Sequence, residues 1–173
     1  AVVGIGRLIT LLASFVKEFV GVDNADLMLK DALRVAQQYE NVRIVKGDLE
    51  KLSFLFPFSY FDDSLCLWNT LGNVKDEVVV LKELKKVTSG RVFVTVYLKG
   101  TLSDRKEWYK AVEIKVKRID TQNEIFYTES GLRSKSYSLE EIKELGLKAG
   151  LLFQNWKILG DVILWVEFGV SDR

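Results

Sequence analysis

Apolar residues along the chain alternate between two spacings, and this alternation predicts a mixed α/β protein. Short β-branched runs such as Val42–Val45 and Val92–Leu98 predict buried strands, whereas helical spacing predicts helices over residues 7–18, 25–39 and 75–88. Strands separated by helices favour parallel pairing with right-handed crossovers. Strands that are apolar on both faces belong in a covered sheet, so we expect a doubly wound α/β sheet between two helical layers.

The second half of the chain departs from this rhythm. Polar and apolar residues alternate within residues 99–138, which we interpret as an antiparallel insert in a single domain spanning residues 1–173. Ser138 and Glu141 form a capping-box pattern that starts a helix. Gly160-Asp161 favours a tight hairpin, so the last of about seven strands should be antiparallel. The other predicted strands are Ala1–Ile5, Phe19–Val22, Ser64–Trp68, Leu152–Leu159 and Val162–Val170.

Composition excludes several chemistries. The 173 residues include no histidine, which excludes Ser-His-Asp triads, Cys-His triads and His-ligated metal sites. We expect the single cysteine, Cys66, to be a buried apolar residue in a reducing cytoplasm. Asp62-Asp63 has no third ligand placed beside it, so we interpret these residues as a turn and predict no metal site.

Charge and hydropathy limit the partners. Lys and Arg total 25 against 24 Asp and Glu, so no net field attracts the chain to nucleic acid. No apolar run approaches the roughly 18 residues of a membrane span, so we expect a cytoplasmic protein that does not enter a membrane. These limits leave a reaction carried by a cofactor, or a binding role.

Three features follow three successive predicted strands. Gly4-Ile5-Gly6 comes after the first strand, Asp23 after the second and Asp48 after the third. Ligands of open α/β sheets bind at this carboxyl edge. Glycines allow the backbone to approach a ligand closely, and an acidic side chain can accept hydrogen bonds from ribose hydroxyls or from an adenine amine. Together these residues predict a nucleoside site.

The glycine pattern bears on which cofactor is bound. A dinucleotide fingerprint has a third glycine three residues after the second, where this chain has Ile9. No Gly-Lys-Ser/Thr phosphate loop occurs either. The predicted site therefore lacks the usual phosphate cradle, although a nucleotide-binding oxidoreductase remains an alternative.

Taken together, these motifs resemble the class I S-adenosylmethionine-dependent methyltransferases. The resemblance rests on the runs Gly4–Leu8, Gly21–Asp23, Met28-Leu29, Gly47–Leu49, Phe61-Asp62, Leu84–Gly90, Ser138–Ile142 and Ala149-Gly150. It covers nearly the whole chain outside the insert. It implies a Rossmann-like, seven-stranded fold with a reversed last strand, S-adenosyl-L-methionine as cofactor and S-adenosyl-L-homocysteine as product.

The resemblance also implies site residues. The positions implied for the cofactor are Gly4 and Gly6 at its methionine part, Asp23 and Asn24 at the ribose, Asp48 and Leu49 at the adenine, and Asn69 and Leu71 near the methyl group. The family usually has an acid and another glycine before Gly4, where Val2-Val3 stand here. Either residues are missing before Ala1 or between Val3 and Gly4, or the site is degenerate.

The insert is where specificity for the methyl acceptor is expected. Asn69, Tyr109, Arg133 and Tyr137 are the candidates on the substrate side, and the last three could form a lid over a small anionic or aromatic acceptor. We therefore predict methyl transfer to a small molecule. Two alternatives stay open: an inactive cofactor-binding or partner-binding module using the aromatic stretch Phe54–Phe61, and an RNA methyltransferase using the basic insert.

Overall fold

The computed structural model describes residues 1–170. Its α-helices are α1 (Arg7–Leu12), α2 (Asp26–Ala36), α3 (Thr70–Asn73), α4 (Glu77–Val87), α5 (Leu102–Ala111) and α6 (Leu139–Ala149). Its strands are β1 (Phe19–Asp23), β2 (Val42–Lys46), β3 (Phe61–Cys66), β4 (Thr88–Leu98), β5 (Val116–Asp120), β6 (Ile125–Thr128), β7 (Arg133–Tyr137), β8 (Leu152–Leu159) and β9 (Ile163–Gly169). No helix within residues 1–170 has the length and apolar character needed to cross a membrane.

The strands form a seven-stranded mixed sheet, β3 to β9, and a parallel pair, β1 and β2. The predicted first strand, Ala1–Ile5, is reduced to a short connection between the two. Val2 pairs in parallel with Val22 and donates its N–H to the Leu65 carbonyl at 3.1 Å. The parallel pairing of β3 with β4 and the antiparallel pairing of β9 confirm the predicted Rossmann-like α/β fold with a reversed last strand.

Two apolar clusters lie on opposite faces of the sheets. Val20 and Val22 of β1 belong to the cluster under α4 and α6, whereas Phe19 packs with α1 and α2. Because alternate residues of a strand point to opposite faces, the two clusters are separate layers of core. The predicted arrangement of helix, sheet and helix is therefore present.

Local signals correctly placed the carboxyl-terminal elements. The Ser138–Glu141 capping box is formed at the start of α6, and Gly150 ends this helix with φ 76°. Gly160 and Asp161 both have positive φ, 55° and 60°, between the antiparallel strands β8 and β9. Such turns match the twist of paired strands, which explains why so short a motif determines the hairpin.

Several predicted boundaries were wrong. The helix predicted over residues 7–18 gives way to a 3₁₀ turn after Leu12, where the Asn41 side chain donates to the carbonyls of Ala13 and Val16. The turn predicted at Asp62-Asp63 is instead part of β3, and Asp63 binds Arg91 of β4 through two hydrogen bonds from its guanidinium.

Gly90 closely follows the helix predicted over residues 75–88, but it is not a helix cap and lies inside β4. The helix ends at Val87 and the strand begins at Thr88, without a left-handed cap between them. A Cβ at Gly90 would lie 2.6 Å from the Asp62 carbonyl oxygen. The glycine therefore serves the close approach of β3 to β4.

Residues 99–138, predicted as an antiparallel insert, contain helix α5 followed by β5, β6 and β7. These strands pair antiparallel in that order, and β7 also pairs in parallel with the end of β4 through Tyr97 and Ser136. Helix α5 has no apolar stripe because its buried residues include Arg105 beside Tyr109. Hydrophobic spacing therefore did not predict this helix.

Candidate functional site

Three loops meet at Asp23, at the end of β1. Its carboxylate accepts the backbone N–H of Gly4 and that of Ala25, each at 3.0 Å. Its carbonyl oxygen accepts the N–H of Gly47 at 2.9 Å. The structure thus brings the glycine turn, the end of β1 and the Gly47-Asp48 loop after β2 to one edge.

The glycine turn is tight and open on one side. The Val3 carbonyl accepts the Gly6 N–H at 2.9 Å, and Gly4 and Gly6 have φ of 50° and 91°. Apart from Gly4 and its two chain neighbours, no heavy atom of residues 1–170 lies within 4 Å of the position that a Cβ would take at Gly4. At Gly6, a Cβ would lie 3.2 Å from the Ala32 backbone of α2. Gly4 therefore borders open space, while Gly6 allows α2 to pack closely.

Asp48 and Asn24 are exposed beside this turn, and Leu49 is half-buried. Asp48 precedes a 3₁₀ helix, Leu49–Phe54, and one carboxylate oxygen accepts the Glu50 N–H at 3.0 Å. The other oxygen faces no protein donor among the described residues. This arrangement leaves acceptor atoms at both Asp23 and Asp48, as hydroxyl and amine donors of a nucleoside require.

Asn69 and Leu71 are buried, whereas Asn24 and Asp48 are exposed. Asn69 is buried, its Oδ1 accepts the Tyr97 N–H at 3.1 Å, and its Nδ2 donates to Ser134 Oγ at 3.0 Å. Leu71 is fully buried in the core beneath α4. The neighbouring Trp68 is 63% exposed. It is not among the predicted site residues, although an aromatic residue at the carboxyl end of a strand can indicate a ligand site.

Arg133 and Tyr137, two of the substrate-side candidates, form an internal network with Glu77. Glu77 Oε1 accepts from Arg133 at 3.0 Å and from the Tyr137 hydroxyl at 2.8 Å. Arg133 also donates to the carbonyls of Gly72 and Val74. Burial alone would raise the pKa of Glu77, but these hydrogen bonds and the Arg133 charge bring it below its usual value. The pair therefore holds α3 against β7.

Tyr109, the remaining candidate, is also turned inward. Its hydroxyl donates to Ser134 Oγ at 2.8 Å, and that oxygen also accepts from Arg105 and Asn69 at 3.0 Å each. Arg105 is only 1% exposed and was not predicted, because a buried arginine gives no hydrophobic signal. Ser134 thus connects α5 and β7 with the segment after β3.

Other chemistry-bearing groups are buried or dispersed. Cys66 is fully buried, and burial raises the pKa of its thiol to about 12, so it is unreactive. Within residues 1–170, no group of three or more Cys, Asp or Glu residues is arranged to hold a metal ion. In the aromatic stretch, Phe56 is buried, whereas Phe54 and Phe58 are 87% and 61% exposed.

Solved structures share this fold. The protein PH0226 of Pyrococcus horikoshii OT3 has a TM-score of 0.72 and 22% identity, covering 98% of this chain and 80% of that one. A 1,6-didemethyltoxoflavin N1-methyltransferase of Burkholderia thailandensis, solved with S-adenosylhomocysteine, has a TM-score of 0.76 and 14% identity, covering 99% and 69%. A putative methyltransferase in complex with the Haloferax volcanii Trm112 activator has a TM-score of 0.75 and 14% identity. The match covers 99% of this chain and 80% of that one.

Sequence comparison gives the family. No curated protein matches the chain. A family model described as a methyltransferase domain matches residues 2–94, which is more than half of the chain and includes the glycine turn, Asp23 and Asp48. The chain therefore belongs to the methyltransferase domain family, as its resemblance to the class I S-adenosylmethionine-dependent methyltransferases predicted.

Proposed function

We propose that this chain binds S-adenosyl-L-methionine and transfers its methyl group in line to a small-molecule acceptor. The observation that carries the proposal is the convergence of Gly4, Asp23 and the Gly47-Asp48 loop at one carboxyl edge. This is the edge at which open α/β sheets bind ligands. The match of a methyltransferase family model over residues 2–94 supports the same reaction.

The residues at this edge fit the cofactor. The space beside Gly4 suits its methionine part, the half-buried Asp23 with the exposed Asn24 suits its ribose, and Asp48 with Leu49 suits its adenine. Two backbone N–H groups fix the Asp23 carboxylate, which leaves its remaining lone pairs oriented for hydroxyl donors. When bound, the cofactor supplies an activated methyl group on a sulfonium.

The protein's own task is to position the acceptor. Holding two reactants in line lowers the barrier by several kcal/mol without any acid or base. A general base helps only where the nucleophile arrives protonated, so the absence of histidine is compatible with this reaction. Asn69, Tyr109, Arg133 and Tyr137 act in this proposal as positioning residues, because their side chains form internal hydrogen bonds.

A small acceptor is supported by charge and by the neighbours. Because Lys and Arg are nearly balanced by Asp and Glu, the chain has almost no net charge with which to attract an RNA backbone. Structures of the same fold include methyltransferases named for 1,6-didemethyltoxoflavin and for magnesium protoporphyrin IX. The region over residues 99–138 borders the acceptor side in this proposal.

Calorimetric titration of the purified chain with S-adenosylhomocysteine and, separately, with NAD tests the proposal. We expect saturable binding of S-adenosylhomocysteine and none of NAD. Binding of NAD alone would favour an oxidoreductase. Binding of neither would favour the partner-binding module, for which the exposed Phe54 and Phe58 are the candidate surface.

A further inference from the structure

The segment after β3 has an uncommon backbone. Trp68 and Asn69 are consecutive non-glycine residues with φ of 58°, a region that side chains disfavour. The bend is held by β4: Thr95 Oγ1 accepts the Trp68 N–H at 2.9 Å and the Thr95 carbonyl accepts the Asn69 N–H at 3.0 Å. Left-handed residues held by several contacts are concentrated at functional sites.

This bend turns the two side chains in opposite ways. Asn69 points inward to Tyr97 and Ser134, whereas the Trp68 indole is 63% exposed and stacks on no other ring within residues 1–170. Since β3 and β4 are parallel, Trp68 lies at their shared carboxyl edge. An exposed indole held in place there is a surface on which a flat ligand can stack.

A second exposed indole lies beside the same end of β4. Trp108 of α5 is 48% exposed, and its ring centroid lies 6.4 Å from that of Tyr97 and 5.2 Å from that of Tyr109. Trp68 is bonded to Thr95, two residues before Tyr97 on the same strand. Both tryptophans therefore lie in the region around the carboxyl end of β4.

Arg105 places a buried positive charge beside this region. The Arg105 guanidinium lies 4.4 Å from the Tyr97 ring centroid and 4.3 Å from that of Phe126. It forms no ion pair within residues 1–170, its four hydrogen bonds go to neutral oxygens, and its Nε is buried without a partner. One of these oxygens is the Glu124 carbonyl, and the Glu124 carboxylate accepts the Gly100 N–H at 2.8 Å instead of pairing with Arg105. A buried cation that forms no ion pair favours an anion nearby and disfavours a second cation.

We infer that the methyl acceptor is a planar aromatic anion, which binds against Trp68 and Trp108 in the positive field of Arg105. The inference rests on the proposed function, since it assigns the acceptor side of that same edge. The indoles provide stacking surface, and the charge selects a carboxylate or phenolate on the ring over an ammonium group.

Binding of three probes to the chain saturated with S-adenosylhomocysteine tests the inference. The probes are 2-naphthoate, its saturated analogue decahydro-2-naphthoate, and the cation 2-naphthylmethylammonium, each titrated by ligand-observed NMR. We expect 2-naphthoate to bind at least about tenfold more tightly than the saturated acid, because stacking on an aromatic side chain contributes that much to affinity. It should also bind more tightly than the ammonium probe, which has the same ring but is repelled by the charge of Arg105.

Substitutions of the two tryptophans test where 2-naphthoate binds. Trp68→Ala should weaken 2-naphthoate binding about tenfold. Trp156→Ala is the matched control, since this indole is 43% exposed on β8, and it should leave the affinity unchanged. If Trp68→Ala does not fold, as judged by circular dichroism, Trp108→Leu takes its place with the same expected loss.

Equal affinities for the aromatic and saturated acids, tighter binding of the cation, or no effect of Trp68→Ala and Trp108→Leu would each overturn the inference. S-adenosylhomocysteine should bind Trp68→Ala as it binds the unaltered chain. If the unaltered chain fails to bind S-adenosylhomocysteine, the proposed function fails, and the inference fails with it. Normal binding of S-adenosylhomocysteine without selective binding of 2-naphthoate overturns the inference alone.

Discussion

Asp23 is the residue at which the loops of the site are joined. Its carboxylate receives one N–H from the glycine turn and one from the start of the α2 segment. These contacts order an acceptor group in advance of ligand binding, which reduces the entropic cost of binding. The same side chain thus has a structural role and, in the proposed function, a binding role as well.

Asp23→Ala should weaken S-adenosylhomocysteine binding by about 1–3 kcal/mol, because hydroxyl donors of the ligand lose a charged acceptor. Calorimetric titration measures the change. Asp26→Ala is the control, since Asp26 lies three residues further on and pairs with Lys46 at 2.5 Å on the surface. An Asp23→Ala affinity equal to that of Asp26→Ala would remove Asp23 from the site.

The buried Cys66 thiol should make the free energy of unfolding depend on pH in the alkaline range. Burial raises the pKa of the folded thiol to about 12 from an ordinary value of 9.0. Above about pH 9 the unfolded chain ionises and the folded chain does not, so the free energy of unfolding falls as pH rises toward 12.

Cys66→Val should remove this part of the pH dependence. Between pH 8 and pH 10, urea denaturation should show the unaltered protein losing about 1 kcal/mol more than the variant. Other alkaline groups, including Tyr97 with a pKa raised to about 12 by burial, are the same in the two proteins. Parallel pH curves for the two proteins would contradict the role of the thiol.

Among the elements, β7 orders the segment that the proposed function assigns to the acceptor. Because β3 ends at Cys66, β7 takes the place beside the last residues of β4. Its Arg133 side chain donates to a carbonyl of α3 and, with Tyr137, to Glu77 at the start of α4, while its Ser134 accepts from Asn69. The strand therefore fixes the segment that carries Trp68.

Arg133→Met should destabilise the protein by about 2 kcal/mol near pH 7, since Glu77 and two carbonyls lose a charged donor. The pKa of Glu77 is lowered in the folded chain, so its contribution is present above about pH 4.5 and is lost as pH falls through the folded value. Denaturation at pH 7 and in acid measures both effects.

Arg34→Met is the control for this prediction, because Arg34 and Asp31 form an exposed pair on α2. Such pairs contribute about 0–1 kcal/mol, so this variant should stay close to the unaltered protein. Equal losses in the two variants, or a loss for Arg133→Met that does not decrease in acid, would refute the network around Glu77.

At the scale of the whole molecule, the site lies where two sheets meet. Residues 1–3 connect β1 with β3 through Val2 and Val3, and the glycine turn continues from them. A ligand that binds at this turn in the folded chain, and does not bind the unfolded chain, raises the free energy of unfolding. Binding is therefore coupled to global stability.

S-adenosylhomocysteine at a hundred times its Kd should add about 2.7 kcal/mol to the free energy of unfolding. For a chain of this length the Tm should rise by roughly 5–10 °C, measured by differential scanning calorimetry. NAD at the same concentration should leave the Tm unchanged. No rise with S-adenosylhomocysteine would contradict a cofactor site at this junction.

The sequence by itself determined the features that depend on near neighbours. Strand and helix periodicity predicted the α/β sheet, Ser138 with Glu141 predicted the start of α6, and Gly160-Asp161 predicted the final hairpin. Sites at strand ends were also predictable, because all parallel strands end at one edge, and Gly4 with Asp23 does meet there.

Only the tertiary structure decided which polar side chains face inward. Asn69 is bonded to Ser134, 65 residues away, and Arg105 is buried between aromatic rings without a carboxylate. A polar residue is buried only where distant donors and acceptors satisfy it, and no local pattern records those partners. The same holds for Trp68, which local patterns did not identify. Its side chain is exposed while that of the next residue, Asn69, is buried, and this difference depends on the distant partners of Asn69.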